Sequence, residues 1–294
     1  MLFHNISAGI LRWIVKQPNV KEESLTDRLL YEVSEGSDRF IYKSFFRNEE
    51  SFNGADWEWW VLTAEPIFKA YRFLVQAKKL KMDGRDKYAQ LCYANRNGMQ
   101  VDLLIDNAIE RHAMPLYMFY SSGKASIEVQ PSIMEQSISN IIEWCESCDN
   151  GAYFSPAHTV REMLFNRERH FISSEYLLSY SLKLSLLDLL MMGVENYNHK
   201  ERQDEKTPDY YMELVERLYM KQGFSKYRDD YSDSVSSSGI LHTSNEIPNY
   251  LRALIEQKQG IDQWFESEFS ELCHGLSGVT VLDLRPDIHR SSKL

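Results

Sequence analysis

Cysteine is scarce: the 294 residues hold four, at positions 92, 145, 148 and 273. Spacing this irregular in a chain of this size supplies no disulfide framework, so the core has to come from apolar burial. Cys145 and Cys148 form a single CxxC. A zinc site would need two more ligands, for which His158 with Cys273 or Cys92 are the nearest candidates; two ordinary thiols on a helical turn account for the pair as well. No apolar run reaches membrane-spanning length without a charge, since the longest, 172–194, contains Glu175, Lys183 and Asp188. The first sixteen residues carry Arg12 and Lys16 inside their apolar pattern and lack a small-residue cleavage site, which argues against a signal peptide. A cytoplasmic protein without membrane contact is the expectation. Basic excess is missing too: the formal net charge of -10 excludes a histone-like or basic-tail binder of nucleic acid. No Ser/His/Asp arrangement, phosphate-cradling glycine loop or internal repeat stands out.

What the chain does have is an aromatic hairpin. Gly54-Ala55-Asp56-Trp57-Glu58-Trp59-Trp60-Val61-Leu62 and Arg72-Phe73-Leu74-Val75-Gln76-Ala77-Lys78-Lys79 are rich in strand formers and flank a turn around Pro66. Alternation puts Asp56, Glu58 and Trp60 on one face of the first strand, and Leu74, Gln76 and Lys78 on one face of the second. Two carboxylates, an amide and an ammonium gathered there can hold a divalent cation through oxygen and set a positive charge beside a phosphate. A solvent-facing hairpin would also alternate in charge, but it explains less well why Gln76 and Lys78 interrupt an apolar strand. Lys69, Arg72, Lys78, Lys79, Lys81, Arg85 and Lys87 oppose only Asp83 and Asp86 between positions 69 and 87. With a nuclease site on the hairpin, a phosphate backbone would run along this basic stretch, past Lys79, Lys81 and Arg85; as a solvated face it needs no ligand.

The flanking patterns give an order of elements. Leu2, Ile6, Ile10 and Ile14 predict a helix over 2–16 that ends before Pro18, and Leu25, Leu29, Leu30 and Val33 predict another from Glu22 to before Gly36. Acidic Glu22 and Glu23 at its start suit the helix dipole in any case. Residues 39–47 read as a strand, 87–94 as a helical turn or two, 99–112 as a helix with Gln100 in its first turn, and 115–120 as a buried strand. Beyond lie expected helices at 132–147, from 154 onward, at 175–192, 210–220 and 248–273, polar loops at 196–209 and 223–245, and a late strand at 279–284 placed at a sheet edge. His112, His158 and His170 read as structural or exposed.

From residue 20 to 122 this order, with Asp56 and the Gln76-Ala77-Lys78 triplet, resembles the PD-(D/E)XK nuclease superfamily in its Gln-x-Lys variant, similar to Mrr-type restriction enzymes. The GADWEWW, QAK and PLYxFY segments also resemble a bacterial family that carries them. The resemblance implies an α/β fold with a restriction-endonuclease-like αβββαβ core and a mainly helical C-terminal extension, divided as 1–125 and 126–294. It implies that Asp56 and Gln76 bind Mg²⁺ or Mn²⁺, that Lys78 orients or activates the attacking water, that Glu23, or less favourably Glu22, is the acid on the first helix, and that Gln100 is the glutamine some branches carry on the following helix, near nucleic acid. Gln76 departs from the usual acid, and Glu58 could restore the missing negative charge at the metal. The expected activity is metal-dependent hydrolysis of phosphodiester bonds, DNA above RNA, in bacterial restriction or anti-phage defence, by a homo-oligomer or part of a larger complex. The alternative is an inactive nuclease fold kept as a binding or assembly subunit.

Overall fold

The helical spacing of Phe3, Ile6, Ile10 and Ile14 becomes helix α1 (Leu2–Lys16), with all four side chains buried. Leu25, Leu29, Leu30 and Val33 form the hidden stripe of α2 (Glu22–Gly36). These elements belong to a computed structural model that describes residues 1–45, 54–63, 68–80, 88–89, 91, 94–95, 98–123, 149–165, 172–178, 181–198, 243–244, 246–256 and 275–286. α1 has no side-chain cap of its own. The N–H groups of Phe3 and His4 donate instead to the Asp188 carboxylate at 3.0 and 2.8 Å, so the cap comes from far along the chain.

Strands β1 (Phe40–Ser44), β2 (Trp57–Thr63), β3 (Lys69–Lys79), β4 (Met114–Tyr120), β5 (Ala152–Pro156), β6 (Leu182–Lys183), β7 (Thr243–Ser244) and β8 (Gly278–Asp283) share one mixed sheet. Its order is β1-β8-β2-β3-β4-β5-β6, with β7 against the beginning of β3. The predicted hairpin is β2 and β3, paired antiparallel from Trp57↔Val75 to Thr63↔Lys69. Helix α3 (Gln100–Glu110) then crosses over to β4, which runs parallel to β3. The longer later helices are α4 (Ala157–Phe165), α5 (Leu187–Asn198) and α6 (Asn249–Glu256), with a five-residue helix at Ser174–Leu178 between the first two. The sheet is covered on both faces. Trp57, Val61, Val75 and Ala77 pack with α1 and α2, whereas Trp60, Leu62 and Leu74 pack with α3, α4 and α6. All seven residues of β4 are buried, as a strand between two helical layers must be.

Several sequence expectations need correction. The late strand is not at an edge: β8 lies inside the sheet, antiparallel to β1 and parallel to β2. Gly278 permits it, because a Cβ there would stand 2.2 Å from the Trp57 ring and 2.4 Å from the Lys43 carbonyl. The sheet therefore takes strands from both sides of residue 125: the described part of the C-terminal half holds more helix than strand, yet it also supplies β5, β6, β7 and β8. The helix expected from 154 begins only at Ala157, after β5 ends on Pro156. The apolar run at 175–192 is interrupted at Leu182–Lys183 by pairing with β5; periodicity alone does not separate a buried strand from a buried helix in such a run. Within 87–94, residues 88–89 pair with 172–173, and 94–95 pair with 98–99, in place of helical turns. The helices expected at 132–147 and 210–220, the far part of 248–273, and all four cysteines lie outside the described residues. Among the described residues no helix is long and apolar enough to cross a membrane.

Candidate metal and phosphodiester site

β3 outgrows β2. The ladder between them starts at Trp57↔Val75, yet β3 continues to Lys79. The N–H groups of Ala77 and Lys79 face the edge that β2 has left, and carboxylates take them. Ala77 N–H donates to Asp56 Oδ2 at 2.9 Å, and Lys79 N–H donates to Glu22 Oε2 at 2.6 Å. Donors two residues apart on one strand edge are about 7 Å apart, so the two carboxylates stand side by side along it. The Ala77 carbonyl turns to the same place and accepts from Gln76 Nε2 at 3.0 Å. That nitrogen also donates to Asp56 Oδ2, and Gln76 Oε1 accepts from Gln100 Nε2 at 2.8 Å.

Local sequence holds these groups. Gly54 has a φ of 72°, and a Cβ there would lie 2.6 Å from Leu104 N and 2.7 Å from the Gln100 carbonyl. Only glycine lets the Gly54-Ala55-Asp56 turn rest on the first turn of α3. Asp56 then extends β2 by one residue: its N–H donates to the Val75 carbonyl, and its carbonyl accepts from Ser277 N–H. On the other side, Tyr120 Oη donates to Thr26 Oγ1 at 3.1 Å and ties α2 to β4.

A cleft of about 210 Å³ opens beside Asp56, lined among others by Glu22, Glu23, Asp27, Thr26 and Ser277. Its charge is negative. Burial pushes the Glu22 carboxyl above its usual range; the Lys78 ammonium and the Lys79 N–H act against this, while the charges of Asp56 and Glu23 add to it. Lys78 is half-buried, and its ammonium makes no hydrogen bond or ion pair among the described residues. Neighbouring carboxylates with such a penalty favour a divalent cation, and Asp56, Glu22, the Ala77 carbonyl and a turned Gln76 amide are the hard oxygens such an ion accepts. Among the described residues no three His, Cys, Asp or Glu side chains gather as a ligand set, so a cation here would rest on two carboxylates supplemented by amide and main-chain oxygen.

Of the residues singled out in the sequence, Asp56, Gln76 and Gln100 form one hydrogen-bonded chain. The Gln100 amide nitrogen is thereby turned to Gln76. On the first helix the acid that meets β3 is Glu22; Glu23 lines the cleft but is exposed. Glu58 does not join the cluster. It is fully buried, and its Oε1 accepts from Trp60 Nε1, Arg72 Nε and Tyr250 Oη, each at 2.7 Å. The Lys79 Nζ donates to the Pro18 and Val20 carbonyls. Lys81 and Arg85 lie outside the described residues. His158 is buried in α4, where burial lowers its pKa to about 4 and keeps it neutral. Two groups escaped sequence reasoning. The Ala77 carbonyl carries no side-chain signal, and the Tyr117 hydroxyl, opposite Gln76 in the ladder, is buried without a hydrogen-bond partner among the described residues.

The fold and the site together define an α/β protein with a mixed sheet and an acidic cluster at the open edge of its longest strand. Residues 1–285 match DUF6615, a family of unknown function, and the chain belongs to that family. No curated protein matches it.

Proposed function

We propose that this protein is a divalent-metal-dependent nuclease that hydrolyses phosphodiester bonds, with DNA as substrate, and that α2 to β4 form a restriction-endonuclease-like core. The observation that carries the proposal is the pair of carboxylates, Asp56 and Glu22, on the N–H groups of Ala77 and Lys79, with Lys78 between them in sequence. Mg²⁺ or Mn²⁺, when bound, supplies a more acidic water and neutralises developing phosphate charge. Asp56, Glu22 and the Ala77 carbonyl hold the ion. Lys78, whose ammonium is not consumed by a protein hydrogen bond among the described residues, orients the nucleophile or meets the charge that builds on the phosphate. The acidic chain as a whole disfavours DNA, so the basic stretch at 69–87 and assembly into a homo-oligomer or larger complex provide its access. A role in restriction-type or anti-phage defence rests on the superfamily resemblance.

One observation favours the second reading, a catalytically inactive binding subunit: Gln76 already satisfies Asp56 through its amide nitrogen without a cation. The two readings part in a cleavage assay on plasmid, single-stranded DNA and RNA with Mg²⁺ or Mn²⁺. A nuclease cuts as wild type, and Asp56→Ala of matched thermal stability reduces cleavage to background. Absence of cleavage together with absence of metal-induced stabilisation selects the binding subunit.

A further inference from the structure

Gln76 and Gln100 form an amide chain with a direction. Gln100 donates to Gln76, and Gln76 donates onward to Asp56 and the Ala77 carbonyl. In this direction an NH₂ group points into the cluster of oxygens, satisfying Asp56 and opposing a cation. Turning the Gln76 amide by half a revolution keeps its shape but exchanges donor for acceptor. Three oxygens then converge, which is unfavourable without a cation and favourable with one.

The turn has a consequence for Gln100. Gln76 is 2 % exposed, so its displaced NH₂ cannot turn to bulk water and needs a protein acceptor. Facing it is the NH₂ of Gln100, a second donor. Gln100 resolves the conflict by turning as well, because its own Oε1, which makes no hydrogen bond among the described residues, then accepts. The Gly54 turn packed on the Gln100 carbonyl holds the backbone of this glutamine in place, so only its side chain need move.

We infer that Gln100 is a positioning residue that sets divalent-cation affinity by fixing which end of Gln76 faces Asp56, the two amides turning together when the ion binds. The inference rests on the Asp56 cluster being a cation site and adds a residue that never touches the ion. It also accounts for a glutamine at position 76: an amide supplies the cation-free protein with a donor, which a carboxylate would not.

The test is Mn²⁺ titration by calorimetry on wild type, Gln100→Glu and Gln100→Lys, each also in a Gln76→Met background, with matched unfolding temperatures in chelator. An acceptor-only side chain at position 100 holds Gln76 in the cation-ready direction and tightens Mn²⁺ about tenfold; a donor-only one weakens it about tenfold. Charge at position 100 acts in the same sense, and the Gln76→Met background measures it. The inference requires the spread between Glu and Lys to collapse there to a small, salt-screened remainder. An equal spread in both backgrounds overturns it while leaving the cation site standing. Wild type that binds no more Mn²⁺ than Asp56→Ala overturns the cation site itself.

Discussion

Asp56 and Glu58 stand two residues apart on one side of the same chain segment and are held in different ways. Glu58 is sealed at a node: a guanidinium, an indole and a phenol converge on its Oε1, and Arg72 also stacks over the Trp60 ring at 5.2 Å and donates to the Arg111 carbonyl. A charged partner drawn from the neighbouring strand makes that carboxylate a fastening for β2, β3 and α6. Asp56 sits where the ladder ends, and the Gln76 amide and the Ala77 N–H are among its donors. Alternation along a strand tells which side a carboxylate takes; the groups it meets and the end of the ladder tell what it can do there.

The largest expected effect breaks the fastening. Arg72→Ala leaves a buried Glu58 charge without its counter-ion and should cost about 3–5 kcal/mol in urea unfolding, with Mn²⁺ affinity of the folded fraction unchanged. Lys78→Ala should do the reverse, lowering the rate of DNA cleavage roughly 10²–10³-fold at unchanged unfolding temperature, as loss of a transition-state charge contact does. Tyr250→Phe removes one of the donors to Glu58 and should cost about 1.5 kcal/mol, again without effect on metal. The smallest effect is in pH. A carboxyl raised by burial, as Glu22 is, stabilises the fold below its unfolded pKa, and that contribution is lost as pH rises through the folded one. Chelator-treated wild type therefore loses stability across that window, Glu22→Gln flattens the curve, and Mn²⁺ restores wild type at the upper end.

The hairpin was legible because strand formers and turn formers bracket it, and the positions of Asp56, Gln76 and Lys78 followed from its alternation. The fate of Glu58 was not legible without the strand register: Trp60↔Arg72 and Glu58↔Leu74 are opposite pairs in the structure, which makes Arg72 the diagonal neighbour of Glu58, while Tyr250 comes from a helix that no local pattern places. The choice between Glu22 and Glu23 was not legible, since adjacent residues differ by about 100° around a helix and the docking of α2 decides which meets β3. The interior place of β8 was hinted at by its unbroken Val279-Thr280-Val281-Leu282 run, but its partners lie more than two hundred residues upstream. The Ala77 carbonyl was invisible because a main-chain ligand arises from strand register, whatever side chain stands there.

The central claim, that the open edge of β3 and not the Glu58 node gathers a divalent cation, is tested most directly by anomalous diffraction from crystals soaked in Mn²⁺. The account predicts one peak bounded by Asp56, Glu22 and the Ala77 carbonyl, with the Gln76 amide oxygen turned toward it, and none beside Glu58. Saturating Mn²⁺ that leaves the Asp56 edge without a peak, or that settles at Glu58, contradicts it.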